Sequence, residues 1–235
     1  MKNTPKHIVI VPDGNRRWAR EKNLPPQMGH LEGVKAFEKV GKKANELNIP
    51  YFTAWGCSVS NVTARPQKEI DTLMNIFEKQ FTKIAKDKET HQNQVKIRVL
   101  GRWAELFTPK AKKAVEKAIE ATKNYRQKNI TFLLAYSGVD EVVSAVSAIC
   151  RKRKANPNLE ITPTVIKNNL WTRELPPVDL VIRTGGEPHW SAGLMMFDVA
   201  EARLYFTNTL WPDFSPQEFE KAVAQYAQAE RRFGR

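Results

Sequence analysis

With 235 residues, 41% of them hydrophobic and 27% charged, the chain is long enough to bury a sizeable core and lies within the size of one large domain. Its two cysteines, Cys57 and Cys150, have neither disulfide-framework nor zinc-ligand spacing, which fits a reducing compartment. The 38 basic and 25 acidic residues leave a surplus of +13, which implies an anionic partner without choosing among nucleic acid, phosphorylated metabolite and anionic lipid.

Residues 1 to 6 lead straight into a predicted first strand, His7 to Val11. Further short segments rich in β-branched or aromatic residues predict strands at Tyr51 to Trp55, Val95 to Leu100, Ile130 to Tyr136, Leu180 to Arg183 and Leu204 to Thr207. From Pro66 to about Ala85, the residues Ile70, Leu73, Met74, Phe77, Phe81 and Ile84 recur with helical period and make one apolar face. Thr108-Pro109, Thr162-Pro163 and Ser215-Pro216 mark helix starts, the last with Glu218 completing a capping box. Lys152 to Glu160 reads as a polar surface loop, and no linker or repeat divides the chain. Strand alternating with helix predicts a single-domain α/β fold with a mostly parallel six-stranded sheet flanked by helices. Ligand sites in such a sheet lie at the carboxyl ends of the strands.

The longest apolar runs, such as Ile8 to Val11, are too short to cross a bilayer, so neither a signal peptide nor a membrane span is expected. Much of the basic surplus, as at Lys110, Lys112, Lys113 and Lys117, reads as solvated helix surface. The basic runs lack regular aromatic interleaving, and nucleic acid is not an expected partner.

The residues after the first strand, Pro12 to Ala19, form a turn that feeds a short helix. Gly14 and Asn15 tolerate unusual backbone angles, so successive N–H groups converge on an anion, and Arg16 and Arg17 add fixed positive charge. Asp13 would repel a bare phosphate; it either caps the helix or faces a divalent cation. After the fifth strand, Arg183, Gly185, Gly186, Glu187 and Ser191 make a second polar site, with Arg183 and Ser191 suited to phosphate oxygens. Two anion sites on one sheet suggest two phosphorylated substrates. A third cluster, Ser58 to Asn61 followed by Arg65-Pro66, reads equally as an ordinary capped loop.

Together these segments resemble the cis-prenyltransferases, the family of undecaprenyl diphosphate synthases. The resemblance rests on His7 to Ala19, Gly29-His30-x-x-Gly33, Ser58 to Asn61 with Arg65-Pro66-x-x-Glu69, Tyr136-Ser137-Gly138, Asp179 to Glu187, Leu204 to Thr207 with Trp211 to Phe214, and Arg232-Phe-Gly234. It implies an enzyme that condenses an allylic diphosphate, such as geranyl or farnesyl diphosphate, with isopentenyl diphosphate. Asp13 would hold Mg2+ and help the allylic diphosphate leave, Gly14, Asn15, Arg16, Arg17 and Trp18 would border that group, and His30, Ser58, Asn61 and Arg65 would surround the reaction centre. Arg183, Glu187, His189 and Ser191 would form the isopentenyl diphosphate site. Arg232 and Gly234 would reach a neighbouring subunit's active site, implying a homodimer, and the growing chain would enter an apolar tunnel. A cytoplasmic enzyme in peripheral contact with membrane is the expected setting, assisted by the scattered lysines.

Several positions depart from the family pattern. His189 stands where arginine is usual, Pro26 and Val139 occupy two other arginine positions, Ser60 replaces a glutamate, and Ala64 is an insertion before Arg65. The segment between Ser191 and Tyr205 is one residue longer, so Arg203 falls where the family has a metal-binding glutamate. Glu201 is then the nearest replacement ligand, with Asp198 the alternative. These departures leave two rivals to an active enzyme: a catalytically silent diphosphate-binding subunit and a nucleic-acid or anionic-surface binder.

Overall fold

Residues 3–228 are described by the computed structural model. In chain order the elements are β1 (His7–Val11), α1 (Asn15–Glu21), α2 (Pro26–Glu46), β2 (Tyr51–Trp55), α3 (Val59–Thr63), α4 (Gln67–Ile84) and α5 (Lys88–Gln92). They continue with β3 (Val95–Leu100), α6 (Trp103–Leu106), α7 (Pro109–Thr122), β4 (Lys128–Leu133), α8 (Gly138–Ala155), α9 (Pro163–Lys167), β5 (Leu180–Arg183), β6 (Arg203–Phe206) and α10 (Pro216–Gln228).

The sheet is parallel throughout, in the order β3-β4-β2-β1-β5-β6. Each parallel pairing needs a crossover, and helices supply it except between β5 and β6, where residues 184–202 cross by turns and loops. β1 is central and buried along its whole length, which is why it reads as an unbroken apolar run. Ile8 and Ile10 pack on one face against α2 and α10, whereas Val9 and Val11 pack on the other against residues 175–199. Burial of one such side chain stabilises by about 2 kcal/mol. In β3 only Val95, Ile97 and Val99 are buried, against α4 and α7, and the sequence alternates accordingly.

Chain order reverses beside β1, whose neighbours are β2 on one side and β5 on the other. The carboxyl ends of β1 and β5 therefore frame the crevice at the topological switch point. Register sets Val11 opposite Arg183, so the turn after β1 faces the end of β5.

Four strands run as the sequence predicts. β4 starts two residues earlier than expected and ends at Leu133, because Ala135 turns to φ 46° and its N–H donates to Cys57 Sγ at 3.2 Å. β6 lies one residue earlier than expected. Thr108 and Thr162 cap α7 and α9 as predicted. Ser215 accepts the Glu218 N–H at 3.1 Å, but Glu218 Oε1 accepts the hydroxyls of Thr207 at 2.7 Å and Thr209 at 2.9 Å, so only half of the predicted box is made. Residues 152–155 extend α8, and the predicted loop begins only at Asn156. The basic side chains of that last turn favour the negative end of the helix dipole.

His7, wholly buried, donates from Nδ1 to the Pro176 carbonyl at 2.9 Å and accepts the Thr53 hydroxyl at Nε2, 2.8 Å away. Burial outweighs these bonds and lowers its pKa from 6.5. The unfolded chain therefore binds a proton near pH 6.5 that the folded chain refuses. This contribution to stability is complete above that pH and is lost as the pH falls toward the lowered folded value. Thermal unfolding should show Tm declining from about pH 7 to about pH 5, with a shallower decline in His7→Gln.

Candidate active site

Asp13 is fixed by its backbone before its side chain does anything. Its N–H donates to Thr184 Oγ1 at 2.9 Å, and its carbonyl accepts the Thr184 hydroxyl at 2.8 Å and the Trp211 N–H at 3.0 Å. Because Thr184 follows Arg183 at the end of β5, the neighbouring strand pins the turn after β1. The carboxylate accepts from Arg183 Nη2 at 2.8 Å on one oxygen and from Arg17 Nη2 at 3.2 Å on the other. Arg183, whose side chain is 5% exposed, also donates from Nη1 to Ser191 Oγ at 2.5 Å and to the His189 carbonyl at 2.9 Å. Its Nε is buried without a partner. A buried guanidinium N–H left open is a donor that an anionic oxygen would satisfy.

Gly14 precedes α1 at φ 112°, a conformation costly for any side chain. The first N–H groups of α1 have no carbonyl a turn earlier to bind, and Arg16 and Arg17 stand on that turn. Two glycines of α2 explain how the helix lies so close: a Cβ at Gly29 would sit 1.9 Å from the Asn15 carbonyl oxygen, and one at Gly33 would sit 2.3 Å from Asn15 Oδ1. That Oδ1 is itself buried and unpartnered. Trp18 faces a structural partner, donating its indole N–H to Asp213 at 2.8 Å.

Beside this turn, Glu69 gathers three cations or potential cations. Arg65 donates to it at 2.7 Å, His30 Nε2 stands 3.4 Å away, and Arg16 3.9 Å away. Burial first and Arg65 second lower the His30 pKa, with Glu69 opposing them, so the imidazole is neutral at neutral pH. The sequence reading gave Glu69 no role of its own, although its spacing from Arg65 is the i,i+4 spacing of a helical ion pair. Ser58 and Asn61 form a reciprocal capping box on α3: Asn61 N–H donates to Ser58 Oγ at 3.1 Å, and Ser58 N–H to Asn61 Oδ1 at 3.2 Å. This commits the carboxamide oxygen of Asn61 but not its NH2.

The loop after β5 completes the arrangement. Glu187 reaches both Arg17, at 3.9 Å, and the His189 ring, at 3.7 Å, and His189 Nε2 lies 3.4 Å from Ser191 Oγ. Gly185 and Gly186 donate their N–H groups to the carbonyls of Thr209 and Thr207, each at 2.8 Å, so they shape the loop and do not present amides to a ligand. Glu201 lies elsewhere. It is exposed and precedes β6, whose first residue pairs with Leu180 and so is level with Ile8. Asp13 follows the opposite end of β1, on the order of 15 Å along the strand direction. Asp198 is likewise at the far end, buried against Lys167, with its carbonyl accepting the Val178 N–H. Neither acid replaces the missing glutamate beside Asp13 within this chain. Arg232 and Gly234 lie outside the described residues.

Among the described residues no three His, Cys, Asp or Glu side chains gather into a metal site. One carboxylate in an arginine-rich anion site nevertheless fits a hard cation that draws most of its shell from phosphate oxygens and water, the habit of Mg2+. A cavity of about 570 Å³ opens beside Pro12, Asn15 and His30 and runs between the sheet and helices α2 and α4, past Phe37, Phe77 and Phe132. The arginine-bearing turn after β1 thus adjoins a largely apolar chamber.

The family described as "Putative undecaprenyl diphosphate synthase" matches residues 11–234. The tritrans,polycis-undecaprenyl-diphosphate synthase (geranylgeranyl-diphosphate specific) of Thermococcus kodakarensis is 36% identical over 236 residues, covering 99% of this chain and 88% of that protein. The isoprenyl transferase of Fusobacterium nucleatum is 37% identical over 233 residues, covering 99% and 97% respectively. The crystal structure of lavandulyl diphosphate synthase from Lavandula x intermedia, in complex with dimethylallyl diphosphate, superimposes with a TM-score of 0.93 at 27% identity, covering 100% of both chains. Such coverage makes the likeness one of whole folds and not of isolated motifs.

Position 189 carries an imidazole, with at most two N–H donors, where the family has a guanidinium with five. His189→Arg is expected to bind inorganic diphosphate several-fold more tightly, measured by calorimetry. Unchanged affinity would show that position 189 does not face the anion.

Proposed function

The chain belongs to the undecaprenyl diphosphate synthase family, and from that membership we propose how its residues join two substrates. It is a cis-prenyltransferase, condensing an allylic diphosphate with isopentenyl diphosphate and releasing diphosphate. The allylic diphosphate lies against Gly14, Asn15, Arg16 and Arg17, with its hydrocarbon tail in the cavity beside α2. Isopentenyl diphosphate lies against Arg183, His189 and Ser191. The observation that carries this reading is the single buried guanidinium of Arg183, which touches Asp13 of the first site and Ser191 of the second. Two diphosphates held from one residue have their reacting carbons brought together, and orientation of that kind lowers a bimolecular barrier.

Breaking the allylic C–O bond leaves a carbocation and a diphosphate, so the site must stabilise negative charge on the departing group. Arg16, Arg17 and the α1 N–H groups are aimed there before reaction. Asp13 is the residue that would hold Mg2+, and the ion would neutralise further charge on the departing group when bound. Glu201 stands outside this set, so the protein contributes a single carboxylate to it. The double bond of isopentenyl diphosphate attacks the cation, and loss of a proton re-forms a double bond. Asn61, with its NH2 left free by the cap, orients the reacting substrate. The apolar walls keep water from quenching the cation and act as the tunnel for the growing chain. A primer of the geranyl or farnesyl class fits the reading, as the Thermococcus relative is named for geranylgeranyl diphosphate and the lavender structure holds dimethylallyl diphosphate.

We also infer a homodimer in the cytoplasm. Val139, Val143 and Val146 are each more than half exposed and form an i, i+4, i+7 stripe on α8. Leu204 and Phe206 extend exposed apolar surface on β6, facing the same side of the sheet as Val181 in the register. A second copy would cover this surface, whereas a monomer would leave it to water. Among the described residues no helix is long and apolar enough to cross a membrane, and contact with anionic lipid would be peripheral.

Asp13→Ala should lower turnover of farnesyl and labelled isopentenyl diphosphate at least ~100-fold while thermal unfolding shows an intact fold. Near-normal turnover would remove Asp13 from its assigned role. Val143→Asp combined with Phe206→Asp should shift the sedimentation coefficient from dimer to monomer; an unchanged coefficient would move the interface elsewhere.

A further inference from the structure

Tyr136 and Glu141 form a buried polar pair that the chemistry above does not use. Tyr136 is fully buried, with its ring edge-on to Trp55 at 5.7 Å and to Trp171 at 5.8 Å. Its hydroxyl donates to Glu141 Oε2 and accepts the Met195 N–H at 3.2 Å. Glu141, 3% exposed, accepts the Thr172 N–H on its other oxygen at 2.8 Å. Burial raises the pKa of both groups, so an apolar core gains nothing from their being there. A phenylalanine at position 136 would fill the same space between the two tryptophans but could not accept the Met195 amide.

The pair has a geometric consequence. A phenol has one proton to donate, and a carboxylate that accepts it fixes the direction of the oxygen lone pairs. Here that direction is toward Met195, one residue after Leu194, whose N–H closes a turn onto the Ser191 carbonyl at 3.0 Å. A second anchor lies beside the first: Gly138 N–H donates to the Ala192 carbonyl at 2.9 Å, and a Cβ on Gly138 would sit 1.7 Å from the Gly193 carbonyl oxygen. The segment carrying Ser191 is thus seated on the residues that follow β4.

We propose that Tyr136, oriented by Glu141, is a positioning residue for isopentenyl diphosphate, holding the Ser191–Met195 segment where Ser191 and Arg183 meet the same diphosphate. The proposal rests on the assignment of Arg183 and Ser191 to that substrate and names what sets their geometry. Its reach is selective, because nothing in the Tyr136 contacts touches Gly14, Asn15 or Arg17.

Steady-state kinetics with both substrates varied test the idea in Tyr136→Phe, Glu141→Gln and Ser191→Ala, with Tm recorded for each. Tyr136→Phe is expected to raise the KM for isopentenyl diphosphate about fivefold to tenfold, leaving the KM for farnesyl diphosphate unchanged and Tm within a few degrees. Glu141→Gln, which keeps one acceptor oxygen and loses the other, should move the same KM in the same direction. A KM for isopentenyl diphosphate that rises in Ser191→Ala but not in Tyr136→Phe overturns the positioning role alone. Equal rises for both substrates in Tyr136→Phe also overturn it, since they report general loosening. An unchanged KM in Ser191→Ala overturns the assignment of the site itself, and the inference with it.

Discussion

The contact between Arg183 and Asp13, 2.8 Å long and made across the ends of two adjacent strands, is the constraint around which the rest of the site is arranged. Arg183 is buried and Asp13 about a third exposed, so loss of Asp13 leaves a buried guanidinium short of its partner, whereas loss of Arg183 leaves a carboxylate that water still reaches. Replacing both with apolar residues would cost little or nothing. Stability therefore does not explain why the pair is there. What explains it is the placement of a cation that reaches two loops at once, at the one crevice of a parallel sheet where the chain leaves in both directions.

The same crevice shows how charge is rationed. Glu69 offsets Arg16, His30 and Arg65 on one side, and Glu187 stands between Arg17 and His189 on the other. Without these acids the cations would repel one another; with them, each has a partner of opposite charge close by. The Arg16–Glu69 contact is long, at 3.9 Å, and Arg16 is exposed, so the pair holds Arg16 only loosely.

Much of this was legible in the sequence where function coincides with local chemistry. β1, β2, β3 and β5 announced themselves because a buried or half-buried strand must be apolar in a fixed period, and Asp13 to Arg17 because a turn feeding a helix needs glycine and small polar residues. Glu201 was different. Spacing along the chain made it the neighbour of a lost ligand, but the register of β6 puts it at the wrong end of the sheet, and register is a long-range property that no local pattern carries. Glu218 misled for a similar reason: its cap role was local and plausible, but two threonine hydroxyls from another segment claimed its oxygen. Tyr136 and Glu141 were visible as letters, and only the fold shows that they hold a loop more than fifty residues away.

Helix α2 serves on two surfaces at once. At Gly29 and Gly33 it presses without any side chain against Asn15, and through Phe37 it forms a wall of the apolar chamber. A single helix that meets both the turn after β1 and the apolar chamber joins the two mechanically: neither surface can shift along the helix axis without carrying the other with it.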